Sequence, residues 1–134
     1  MNLNKFKTTS TMKKLLAILT VTTIITFVAC KKEKDTESPV VTITSPTQSE
    51  TFTAGDSILI AFTATDIDMH AYEFTVINTA NDSVLFEGGE HTHGNATFSQ
   101  KFKSPSSATE MKLTVTAEDH NGNGVSSFVS FESN

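Results

Sequence analysis

Residues 57–65 read Ser57-Ile58-Leu59-Ile60-Ala61-Phe62-Thr63-Ala64-Thr65. Ile58, Ile60, Phe62 and Ala64 occupy alternate positions, and in an extended chain alternate side chains point to one side, so this stretch has a single apolar face. The next run, at 71–77, repeats the device with Tyr72, Phe74 and Val76. Further runs rich in Val, Ile, Thr and Phe lie at 40–44, 83–87, 96–102, 110–118 and 125–131. Their expected inward residues include Val84 and Phe86, then Ala96, Phe98 and Phe102, then Met111, Leu113, Val115 and Ala117. Ser45-Pro46 should end the first run, because proline cannot donate to a strand ladder. Asn121-Gly122-Asn123-Gly124 should form a tight turn between the last two. No helical periodicity competes after Pro39, so the pattern predicts an all-β domain of about seven antiparallel strands closed into a sandwich.

The chain upstream is of another kind. Lys5, Lys7, Lys13 and Lys14 precede an apolar stretch at 15–28, which at about 14 residues falls short of the roughly 20 that a membrane-spanning helix needs. This arrangement reads as a signal peptide over residues 1–29. It closes on Phe27-Val28-Ala29-Cys30, and Cys30 is the only cysteine, so no intramolecular disulfide can form. A small residue before a lone cysteine resembles the bacterial lipobox, which implies lipidation of Cys30 and anchoring of the cut chain in a membrane. Residues 31–38, Lys-Lys-Glu-Lys-Asp-Thr-Glu-Ser, contain no apolar side chain and read with Cys30 as a flexible charged tether. The expected organisation is therefore signal peptide at 1–29, lipidated cysteine and tether at 30–38, and sandwich domain at 39–134.

After Cys30 there are six lysines against fifteen acidic residues and no arginine, a side-chain balance of −9. That lacks the basic footprint which phosphate backbones require, so nucleic acid is a poor partner. Cations, a protein partner at the cell envelope and the membrane itself, through the lipid, remain as expected partners.

Residues 40–46 followed by Ala54-Gly55-Asp56-Ser57, and Leu113-Thr114-Val115-Thr116-Ala117-Glu118-Asp119 leading to Gly122-Asn123, resemble the immunoglobulin-like modules of bacterial surface proteins. With lipobox, tether and a histidine-containing middle loop, the chain is similar to an uncharacterised Bacteroidota lipoprotein family. The resemblance implies an Ig-like sandwich and a cell-envelope location at the outer membrane; members of that family carry a richer histidine cluster than the Glu90-His91-Thr92-His93 found here, a departure that weakens any ligand role carried over from them.

Antiparallel connection places three loops at one end of such a sandwich, the end where the first strand begins. They carry Asp66, Asp68 and His70; Glu90, His91 and His93; and Asp119, His120, Asn121 and Asn123. All four histidines of the protein are thus expected at the pole nearest the tether. His91 and His93, two apart in extended chain, can reach one metal ion, with His70, His120, Asp68 or Asp119 completing the set; imidazole suits zinc or copper. Calcium is the alternative, on the oxygens of Asp66, Asp68, Asp119, Asn121 and Asn123. In the third alternative these polar residues only cap the sandwich end and shape its turns. The sequence has no Gly-x-Ser-x-Gly elbow, phosphate loop or His-Glu-x-x-His helix, so no enzyme is expected. The expected role is a non-catalytic binding or accessory lipoprotein, or else a structural or adhesive surface module without a small ligand.

Overall fold

The computed structural model describes residues 34–134. The expected signal peptide, Cys30 and the first three residues of the expected tether lie outside the described residues. Lys34–Asn134 forms one compact unit. Its strands are β1 (Val40–Ser45), β2 (Thr51–Phe52), β3 (Ser57–Thr65), β4 (Met69–Asn78), β5 (Val84–His91), β6 (Ala96–Lys103), β7 (Thr109–Asp119) and β8 (Gly124–Ser133). Three strands in the order β1-β3-β6 make one sheet, and five in the order β2-β8-β7-β4-β5 make the other. Every pairing is antiparallel except that of β2 with the end of β8. The two sheets form the β-sandwich that the alternation predicts, with eight strands where about seven were expected.

The core lies where the period of two puts it. Ile58, Ile60, Phe62 and Ala64 of β3 are buried, as are Met111, Leu113, Val115 and Ala117 of β7, and Tyr72, Phe74 and Val76 of β4. Aromatic rings join the sheets: Phe62 meets Tyr72 at 5.4 Å, Phe74 at 5.7 Å and Phe98 at 5.1 Å between centroids. Phe86 of β5 stacks on Phe102 of β6 at 5.5 Å. The buried hydrophobic core cluster runs from Ile58 to Phe131, so the described unit carries its own core and can fold without what precedes it. Among the described residues no helix is long and apolar enough to cross a membrane.

Three local features depart from the reading of the sequence. Val84 was expected to face inward and is instead 52% exposed. The ladder of β4 with β5 slips there: Val76 lies opposite Phe86 but Ile77 opposite Val84, leaving Leu85 as an extra residue that reverses the parity. The same strand was expected to stop near Glu87, yet it runs on to His91, so Glu90 and His91 sit on a strand edge and not in a loop. Gly88 permits this, because it lies opposite Phe74, whose ring fills the place of the missing side chain; a Cβ at Gly88 would stand 2.8 Å from Phe74 Cε1. Finally, β2 is a two-residue strand, too short for any alternation to show. It forms after the chain leaves β1 at Ser45 and crosses to the other sheet, where Phe52 packs edge-on against Phe131 at 6.1 Å.

Candidate functional site

At the pole where β1 begins, the β3–β4 connection, the β5–β6 connection and the β7–β8 turn come together. The turn is organised by Asp119, whose side chain is almost wholly buried at 1% exposure. Its Oδ1 accepts from the backbone N–H groups of Asn121 and Asn123, both at 2.8 Å, and its Oδ2 accepts from Asn123 Nδ2 at 2.7 Å. Gly122 supplies the positive φ of 83° that lets the turn close. In the neighbouring connection the backbone N–H of Asp68 donates to Asp66 Oδ1 at 2.7 Å, and that of Asp66 donates to Asn95 Oδ1 at 3.2 Å. A side-chain amide bond, from Asn121 Nδ2 to Asp68 Oδ2 at 3.1 Å, ties the turn to this connection.

Burial by itself would push the Asp119 carboxyl up. The N–H donors of Asn123, Asn121 and Gly122 outweigh that and hold it below the ordinary value of 3.8. A carboxyl depressed by folding stabilises the native state fully above its unfolded value, and the contribution fades as the pH falls below 3.8 through the lower folded value. Asp119→Asn should therefore be less stable than the parent at neutral pH, with the gap narrowing steadily under acid titration below pH 4. Urea unfolding midpoints of both proteins across that range measure it. A gap independent of pH would show that the carboxylate charge plays no part in holding the turn.

The candidate metal ligands separate into two groups. Asp66 and Asp119 join Asp35, and a carboxylate oxygen from each lies within 4.8 Å of the others; this is the one such group of three or more ligand residues among the described residues. The three carboxylates could hold a metal ion. Asp35 falls in the charged stretch that the sequence presents as a flexible tether, and no motif there marks it as a ligand. Its backbone carbonyl accepts from Asn123 Nδ2 at 3.0 Å, a contact spanning 88 positions that no local pattern announces. Asp68 is not in this group, since its carboxylate faces Asn121 and His120. Asn121 and Asn123 turn their NH₂ groups to Asp68 and Asp119 and donate hydrogen bonds there.

The second group is the histidines, which the fold does gather at this pole. His70 is the extra residue of a bulge in β4, where Met69 pairs with Asp119 but Ala71 with Glu118. The bulge leaves its ring against those of His91 and His120, at 4.9 and 4.6 Å between centroids. His93 stacks on His120 at 5.4 Å. His120 Nδ1 lies 3.0 Å from the backbone carbonyl oxygen of Asp68 and 3.6 Å from its Oδ1. Tyr72, read from its parity as core, is 7% exposed and donates from its hydroxyl to Glu90 Oε2 at 3.3 Å; burial, then the Glu90 charge, raise its pKa.

Residues 39–117 match the family described as bacterial Ig domain. The chain belongs to that family. The matched residues run from the start of this Ig domain to near the end of β7, taking in Asp66, Asp68, His70, His91 and His93 and stopping short of the Asp119 turn. No curated protein matches the chain. Bacterial Ig domains are typically surface or structural modules, so membership accounts for the sandwich and leaves the chemistry of the pole to its own geometry.

Proposed function

We propose that this chain is a lipid-anchored protein of the cell envelope, at the outer membrane, whose Ig domain acts as a non-catalytic accessory module and takes a divalent cation at the pole beside its tether. The lipobox-like Ala29-Cys30 after an apolar stretch supports the anchor, as does the likeness to an uncharacterised Bacteroidota lipoprotein family. One observation carries the cation: Asp35, five residues beyond Cys30, meets Asp66 and Asp119 within 4.8 Å. Three carboxylates that close repel one another, and a dication between them removes the repulsion and joins three segments of chain. An all-oxygen donor set suits calcium better than zinc or copper. The tether would then be drawn against the domain when calcium is present and released when it is not.

Thermal unfolding of residues 31–134 with and without calcium tests this reading. Extracellular calcium modules bind at about 10⁻⁴ to 10⁻³ M. Calcium at ~10 mM should then add about 1.4 to 2.7 kcal/mol to the stability. For a domain near 100 residues that raises Tm by roughly 6 °C or more. Asp66→Asn should remove most of the shift. A Tm unmoved by calcium would end the cation reading and leave a structural or adhesive surface module, the role for which Ig domains of this family are suited.

A further inference from the structure

The protein has four histidines. They come from four separate places: the β4 bulge, the end of β5, the loop after it and the β7–β8 turn. Their rings nevertheless form an unbroken row, His91 to His70 to His120 to His93, with centroids 4.9, 4.6 and 5.4 Å apart. The hydrophobic core does not require this, because His91, His93 and His120 are exposed and His70 is only half-buried. Two imidazoles bound to one ion at about 2.1 Å have ring centres roughly 4.5 to 5.3 Å apart, a range that includes the 4.6 Å between His70 and His120, while the stacked His93 ring at 5.4 Å lies just beyond it.

The hydrogen bond of the His120 ring points the same way. Its Nδ1 lies 3.0 Å from the Asp68 carbonyl oxygen, which can only accept, so Nδ1 carries the proton. In that tautomer the lone pair is on Nε2. A histidine whose one nitrogen donates to a carbonyl or carboxylate while the other stays free has the outer-shell arrangement of a metal ligand, fixed in tautomer and ring orientation. Asp68 supplies both the carbonyl and, at 3.6 Å, a carboxylate oxygen.

We infer that the histidine row is a second metal site, distinct from the Asp35, Asp66 and Asp119 cluster and specific for an imidazole-binding dication, copper(II) before zinc. His120 is its central ligand through Nε2, and His70 and His93 are its flanking ligands. Among the described residues no three imidazole nitrogens lie within 4.8 Å of one another. The ion is therefore held first by His120 and one neighbour, with water at the remaining positions; the exposed His93 ring can rotate to join them. A site with open positions at the surface exchanges its ion readily, which suits capture and delivery better than a permanent structural role. Copper ranks above zinc on the general order of divalent affinities. The inference stands whether or not calcium binds at the carboxylates.

Titration of copper(II) into untagged residues 31–134, followed by calorimetry and electron paramagnetic resonance, tests it. One equivalent should bind with nitrogen hyperfine structure, and His120→Ala should weaken binding tenfold or more. His93→Ala, in an exposed loop position where folding is not at risk, should weaken it in the same direction. Asp66→Asn and ~10 mM calcium should leave copper binding unchanged. Parent affinity in both histidine variants, or a copper spectrum without nitrogen coupling, overturns the site. A calcium shift without copper binding defeats this inference alone, whereas copper binding without a calcium shift defeats only the carboxylate reading.

Discussion

Phe62→Ala is expected to lower the unfolding free energy by about 3 to 5 kcal/mol, the range for truncating a fully buried aromatic side chain. Phe62 is 1% exposed and stands on the middle strand of the smaller sheet. Its ring touches Tyr72 and Phe74 from the opposite sheet and Phe98 from β6. Removing it opens a void that three rings on two sheets border, and a sheet cannot close such a gap without breaking its own ladder. Domains of this size hold only about 5 to 15 kcal/mol in all, so the variant should lose about a fifth or more of its stability. The urea midpoint should fall with no change in slope. A loss below about 1 kcal/mol would mean that the ring is not the joint between the sheets.

Cys30→Ala should give the largest change in where the protein is found, on the proposed lipid anchor. Each buried CH₂ contributes about 0.8 kcal/mol, and two acyl chains hold a protein to a bilayer where one does so only marginally. Without the thiol there is no attachment point for either. The chain after Cys30 has a side-chain balance of −9 and is repelled by anionic headgroups, so nothing electrostatic replaces the lipid. The variant should move from the membrane pellet to the soluble fraction with an unchanged β-sheet circular dichroism spectrum, because the core lies within residues 58–131. Retention in the pellet would contradict the anchor. A lost spectrum would contradict the independence of the domain.

The sequence makes legible those strands whose alternation runs unbroken. In β3 and β7 every second residue is apolar, and all eight of those side chains are buried. Legibility fails where a residue is inserted. The bulge at His70 puts Met69 out of phase with Tyr72 although both are buried, which hides the true start of β4. Leu85 does the same to Val84. The grouping of the histidines follows from topology alone, since antiparallel connection decides which loops share an end. The ligand chemistry does not follow. Asp35 reaches the site through a contact with Asn123 across 88 positions, and which end of an Asn amide faces a carboxylate depends on packing that the residue name does not specify.

The crossing of the chain between sheets after β1 has a mechanical consequence. β1 leaves the tether pole and β8 ends at the opposite one, where β2 lies beside it in parallel. Tension between the proposed membrane attachment at the first strand and a load on the last would therefore run along the strands. The β1–β3 and β7–β8 ladders are loaded in shear, so that many hydrogen bonds must yield together and none can be peeled singly.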